Sequence, residues 1–114
     1  MIDYHAELVK VLSGILPTHY EPMLTASTPT PCISYLETNN YDAETGDTLG
    51  YSWLSYQVKV WGTSIADLQG YALEIDKALR PLGFERTACS ELGDKNSAMI
   101  QKIMTYEGMA LENY

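Results

Sequence analysis

A long strand followed at once by an amphipathic helix, at residues 51–82, most restricts what this chain can fold into. Residues 51–61 alternate between apolar and polar side chains, which is the period of a β-strand with one buried face. Gly62 follows and ends the predicted strand. The opposite face carries Trp53 and Trp61 among polar side chains. This strand is therefore predicted to bury one face in a core and to leave the other, more polar face at the surface. The predicted inward residues are Leu54, Tyr56, Val58 and Val60, and the polar ones are Ser55, Gln57 and Lys59.

The helix after this strand carries clear start and stop signals. Ser64 is a favourable N-cap, and Asp67 three residues later resembles a capping box and complements the helix dipole. Pro81 and Gly83 are predicted to end the helix. An apolar stripe of this kind is typical of a helix that packs on a sheet. The stripe consists of Ile65, Leu68, Ala72, Ile75, Leu79 and Leu82.

The rest of the chain predicts one more helix and four more strands. A first helix begins at Asp3 and stops at Pro17, with Tyr4, Leu8, Val11, Leu12 and Ile15 as its apolar stripe. Strands are predicted at residues 20–24, 32–38, 84–92 and 98–108, and an acidic hairpin loop at residues 39–50. The order α-β-β-β-α-β-β predicts a single α+β domain over residues 1–114. We expect a mainly antiparallel sheet of four to five strands, with both helices packed on one face.

The charge of the chain limits its partners. Seven basic and fifteen acidic residues give a net charge of −8, which disfavours binding to nucleic acid phosphates or to anionic membranes. No apolar run approaches the roughly 20 residues of a membrane span, and the first residues lack the pattern of a signal peptide. Cys32 and Cys89 are far apart and are predicted to be reduced, half-buried thiols of a cytoplasmic protein.

No pattern in the sequence predicts catalysis. His5 and His19 stand alone, without a cysteine, an aspartate or another histidine at metal-ligand spacing. Asp42, Glu44 and Asp47 lack the rest of a calcium-loop pattern and are predicted to be solvated. The expectation is therefore a protein that is not an enzyme, with no catalytic residue, no cofactor and no metal.

The tryptophan-bearing strand face and the acidic hairpin instead predict a protein interface. Tyrosine and tryptophan combine apolar area with a polar end, and they are frequent anchors of protein interfaces. Trp53 and Trp61 are eight residues apart on one side of the strand, roughly 27 Å from end to end. The alternative is that both indoles pack beneath a loop or helix of the same chain. The predicted interface residues are Tyr41, Asp42, Glu44, Asp47, Tyr51, Trp53, Gln57, Lys59 and Trp61.

The order of these elements resembles the small tail-completion proteins of long-tailed bacteriophages, and more narrowly the tail-terminator group. The resemblance covers most of the chain from the first helix onward, and it rests on patterns of apolar spacing. It is carried by residues 56–61, 64–68, 75–79 and 82–84, and by Lys102, Tyr106 and Gly108.

The resemblance implies a non-enzymatic subunit of a hexameric ring that caps the finished tail tube. Such a ring ends tube polymerisation and joins the tube to the head connector or another neck protein, and DNA passes through its lumen without specific binding. The implied location is the virion tail, assembled in the host cytoplasm. Two alternatives stay open: a small cytoplasmic α+β ligand-binding or regulatory domain, and another head-tail neck protein such as a head-closure factor.

Overall fold

In a computed structural model of the chain, the described residues fold into two helices and a five-stranded sheet. The structure describes residues 3–43, 51–94 and 98–111. The helices are α1 (His5–Leu12) and α2 (Ile65–Leu79), and short 3₁₀ turns occupy Glu21–Met23 and Arg80–Leu82. The strands are β1 (Thr18–Tyr20), β2 (Cys32–Ala43), β3 (Tyr51–Gly62), β4 (Phe84–Gly93) and β5 (Ile100–Leu111).

The sheet has the order β1-β2-β3-β5-β4 and is mixed, although the α+β fold and its mainly antiparallel pairing are confirmed. Strands β2, β3, β5 and β4 pair antiparallel, whereas the short strand β1 pairs parallel with β2. Thr18 lies opposite Ile33, and the Ile33 amide donates to the Pro17 carbonyl at 2.8 Å. The pairing is parallel because residues 21–31 carry the chain back to the end of the sheet where β1 began.

Several predicted boundaries differ from the structure. Helix α1 spans His5–Leu12 rather than continuing to Pro17, so Ile15 lies beyond its end. The first strand is Thr18–Tyr20 rather than residues 20–24, because Pro22 lies in a 3₁₀ turn. Strand β2 continues to Ala43 through part of the predicted hairpin loop, because β3 supplies a hydrogen-bonding partner along that length. Strand β5 likewise extends to Leu111, opposite Tyr51. The remaining loop residues, 44–50, lie outside the described residues.

The core lies between the two helices and one face of the sheet, as the stripes predict. Leu8 and Leu12 of α1 are fully buried, and Leu54, Tyr56, Val58 and Val60 of β3 are each at most 1% exposed. Ser64 caps α2, since its hydroxyl accepts the Asp67 amide at 3.3 Å. The buried stripe of α2 is shorter than predicted and consists of Leu68, Ala72, Ile75 and Leu79.

The predicted burial of Ile65 is wrong, because its side chain is 45% exposed. Strand β3 ends at Gly62, and Leu68 already lies against that residue: a Cβ built on Gly62 would come within 2.9 Å of Leu68 Cδ2. Ile65 lies nearly one turn before Leu68 on α2, past the end of the strand that the helix covers. The end of β3 at Gly62 therefore accounts for the exposure of Ile65.

The predicted half-burial of both thiols is also wrong. Cys32 and Cys89 are free cysteines, but Cys32 is buried while Cys89 is exposed. Cys32 lies on an interior strand between β1 and β3, whereas Cys89 lies on the edge strand β4. Burial raises the pKa of the Cys32 thiol, which makes it a poor nucleophile.

A cluster of aromatic rings packs the start of α1 against the sheet. The Tyr4 and Phe84 ring centroids are 5.5 Å apart, and the His5 and Tyr35 centroids are also 5.5 Å apart. His5 Nδ1 is 3.3 Å from the Tyr35 hydroxyl. The lone histidine of the first helix therefore packs among rings at the helix–sheet junction.

Two buried polar side chains on the helix side of the sheet, Tyr106 and Lys102, have partners within the chain. Tyr106 donates its hydroxyl proton to Asp76, which also receives Arg86 Nε at 3.2 Å. Burial, followed by the bond to Asp76, raises the pKa of Tyr106 above its ordinary value. Lys102, only 7% exposed, donates to Gln69 and Glu91, each at 2.7 Å. These pairs tie α2 and β4 to β5.

Two glycines give a matched test of the packing. A Cβ on Gly108 would lie 2.7 Å from Phe84 Cδ1 and 2.8 Å from the Gly83 carbonyl oxygen, whereas a Cβ on Gly70 would meet nothing within 4 Å. Gly108→Ala is therefore expected to lower the free energy of unfolding by about 1–3 kcal/mol. Gly70→Ala is expected to raise it by about 0.5–1 kcal/mol, because glycine is unfavourable inside a helix. Urea unfolding of both variants measures the two changes. Equal effects of the two substitutions would contradict the close approach of β5 to residues 83–84.

Candidate assembly interface

The face of the sheet opposite the helices, here called the open face, carries most of the predicted interface residues. On β3 this face presents Trp53, Ser55, Gln57, Lys59 and Trp61, and none of them is fully buried. The alternation of β3 predicted from the sequence is thereby confirmed. The two tryptophans have different surroundings at the two ends of this face.

Three large side chains form an exposed row at one end of the open face. Tyr41 on β2 lies opposite Trp53 on β3, which lies opposite Met109 on β5. Their exposed fractions are 51%, 40% and 46%. Neighbouring strands are about 4.8 Å apart, so side chains in register on one face are close neighbours. We call Tyr41, Trp53 and Met109 the distal cluster.

The distal cluster lies on a projecting part of the sheet. Strand β4 begins at Phe84, which pairs with Gly108, so β2, β3 and β5 continue beyond it as three strands. This extension comprises residues 41–43, 51–53 and 109–111. The molecule is elongated, with extents of 53 × 24 × 22 Å. An apolar cluster on such a projection is well placed to reach another molecule.

Trp61 at the other end of the open face is partly covered by its own chain. Its indole Nε1 donates to Ser34 Oγ at 2.9 Å. Lys59 Nζ lies 5.7 Å from the Trp61 ring centroid and 2.8 Å from Glu21 Oε1. The alternative of packing within the same chain therefore describes Trp61 better than Trp53.

A concavity of about 450 Å³ adjoins Trp61. The segment of residues 24–30 forms one wall, and Cys32 lies beside Trp61 in the lining. Asp94 is the one charged residue among the lining residues that the structure describes. Among the described lining residues, one carboxylate and a poorly nucleophilic thiol give this largely apolar concavity few groups that could react with a ligand.

Two of the other predicted interface residues fall in the same region. Asp42 and Tyr51 belong by their backbone to the distal extension, in β2 and β3. Glu44 and Asp47 lie outside the described residues. The sequence does not predict Met109 as part of this face, because the predicted strand ends at residue 108. Ile103, Thr105, Glu107 and Met109 are spaced two residues apart. Continuing the predicted strand by one residue would place Met109 on the same face as the other three.

Neither a metal cluster nor a membrane helix occurs in the part of the chain that the structure describes. No group of three or more histidine, cysteine, aspartate or glutamate side chains there is placed to hold a metal ion. Among the described residues, no helix is long and apolar enough to cross a membrane.

The fold, though not the sequence, is shared with a known virion chain. No protein-family model matches the sequence, and no curated protein matches it. The structure is similar to a chain from the virion of a native gene transfer agent (GTA) particle, with a TM-score of 0.55 and 13% sequence identity. The match covers 94% of this chain and 86% of that chain. At this identity the likeness establishes a common fold, and the resemblance to tail terminators stays a prediction.

Proposed function

We propose that this chain is a structural subunit of a virion that forms a ring on the end of a tail tube and stops its growth. The observation that carries the proposal is the exposed distal cluster on the projecting end of a fold shared with a virion chain. The ring also offers a second face to the head connector or neck. Its work is surface complementarity, without a catalytic step.

The distal cluster has the composition of a protein-binding anchor. Tyrosine and tryptophan are enriched among residues that dominate binding energy, and methionine adapts its shape to a partner. Three paired strands hold the cluster in register, so little backbone order has to be gained on binding. We assign this cluster to contact with the tail-tube subunit.

A ring cap explains termination by geometry. A closed ring requires two unlike patches on each subunit, one of which docks on the next copy. Six copies then present six distal clusters in the same direction. The opposite end of the ring carries different residues, so a further tube subunit finds no matching surface there.

The charge of the chain fits a lumen through which DNA slides without adhering. With a net charge of −8, we expect no detectable binding to duplex DNA at physiological salt, because phosphate binding needs a basic surface. Fluorescence anisotropy with a labelled duplex measures this. A micromolar affinity that weakens with added salt would show that the charge has been misjudged.

Tube assembly tests the proposal directly. Purified tail-tube protein of the same virion is polymerised with increasing amounts of this chain, and tube lengths are measured by electron microscopy. We expect shorter tubes with wild-type chain and with Leu73→Ala, a control that removes a 53% exposed leucine from α2. Trp53→Ala is expected to leave tubes long. Tubes unaffected by wild-type chain would contradict the terminator role; a head-closure factor would give that result while binding the head connector.

A second candidate is a small ligand-binding or regulatory domain, favoured by the concavity beside Trp61. Its volume of about 450 Å³ suits a small molecule. In a Trp53→Phe background, Trp61 is the remaining tryptophan. Saturable changes in its fluorescence with a metabolite mixture, from a chain that stays monomeric, would favour this candidate over the ring.

A further inference from the structure

Within the part of the chain that the structure describes, each edge of the sheet has a length without a strand partner, and the two edges are unlike. Strand β4 forms one edge, and among the described strands it pairs with β5 alone. Nine of its ten residues are exposed, and Phe84 is buried. The outward N–H and C=O groups of such an edge are a ready template for another strand.

The other edge is only partly closed. Strand β1 pairs with β2 at Ile33, Ser34 and Tyr35 and ends there. Among the described residues, no strand pairs with the outer side of β2 at residues 36–43. This length of eight residues is about 26 Å of strand, and β4 with ten residues is long enough to lie along it.

The side chains of β4 leave its edge accessible. Its middle consists of small residues, Thr87, Ala88, Cys89 and Ser90, which let another backbone approach closely. Two of its charged residues are engaged within the chain: Arg86 bonds to Asp76 and Glu91 to Lys102. These charges therefore do not protect the edge in the way that free lysines often do.

Strand directions decide how two copies can meet. Within one chain β4 runs antiparallel to β2, since three antiparallel pairings separate them. In a cyclic ring every subunit has the same direction along the axis. The β4 edge of one copy therefore meets the β2 edge of the next copy antiparallel, as in the pairings inside the sheet.

We infer that the β4 edge of one copy pairs antiparallel with residues 36–43 of the next copy and joins the subunits into the ring. The inference rests on the proposed ring function and names the contact that closes it. Because β1 occupies the edge beside Ile33–Tyr35, the added strand lies beyond Tyr20 and adjacent sheets are staggered along the strands. Tilt and stagger of this kind accompany the closure of a sheet.

Cysteine cross-linking tests this contact on the full chain. Cys89 is exposed on β4, and Cys32 is 1% exposed and shielded. Asn39→Cys adds a second accessible thiol within residues 36–43 of β2. A short bis-maleimide is expected to link Asn39→Cys into a ladder of covalent species up to six copies, whereas wild-type chain and Leu73→Cys give no ladder.

The outcomes separate the contact from the function. Native mass spectrometry of the same untreated samples reports whether a ring forms. A ring without a ladder would overturn the edge contact and leave the ring function standing. Wild-type dimers cross-linked through Cys89 would show that β4 pairs with β4 about a two-fold axis. That result would also overturn the contact between β4 and β2. Neither ring nor ladder would overturn both.

Discussion

Ile75→Asp is expected to unfold the chain. Ile75 is fully buried in the centre of the α2 stripe, and aspartate would place an unpaired charge between helix and sheet. Burying such a group costs several kcal/mol, a large part of the roughly 5–15 kcal/mol that stabilises a domain. Circular dichroism during heating measures the result. We expect no cooperative unfolding transition over the whole temperature range.

Leu73→Asp is the matched control for this loss of stability. Leu73 lies two residues earlier on the same helix and is 53% exposed. The same new charge there meets solvent, and we expect the melting temperature to change by no more than a typical surface substitution. Retained cooperative melting of Ile75→Asp would contradict the packing of α2 on the sheet.

Trp53→Ala is expected to have the largest effect on assembly without unfolding the monomer. The side chain is 40% exposed and lies in the middle of the distal cluster, so its loss leaves no large internal cavity. Removal of an anchoring tryptophan costs about 2 kcal/mol or more of binding, which is roughly 30-fold in affinity. Sedimentation of the chain with preformed tubes measures the affinity, and thermal melting measures the monomer.

Trp61→Ala separates the two interpretations of the tryptophans. Its bond to Ser34 and its position beside the 24–30 segment predict a lower melting temperature of the monomer. Its effect on assembly, corrected for the folded fraction, is expected to be smaller than that of Trp53→Ala. A large drop in monomer stability for Trp53→Ala, with unchanged tube binding, would end the interface interpretation of the distal cluster.

The best-predicted elements have strong local periods. Strand β3 and helix α2 follow their alternating and helical patterns, and Ser64 caps α2 as its type and position indicate. The parallel strand β1 was not predictable as such, because three residues carry too little pattern and their partner on β2 is distant in sequence. The continuation of β2 through Asn39 and Asn40 shows pairing overriding weak strand propensity.

The candidate site depended on register, which the sequence does not display. The tryptophans could be chosen by their polar neighbours, but the row formed with Tyr41 and Met109 depends on pairing across three strands. The ladder between β2 and β3 shifts between Glu37 and Asn39. A shift of one residue moves every later side chain to the other face, so this irregularity is what brings Tyr41 beside Trp53.

Native mass spectrometry of the full chain tests the ring most directly. Samples are measured from micromolar to millimolar concentration, with Trp53→Ala as a variant that should still form the ring because its assigned contact is with the tube. We expect a closed species of six copies of the 12.7 kDa chain, about 76 kDa, with no larger open series. A chain that stays monomeric throughout this range, or that stops at two copies, would contradict it.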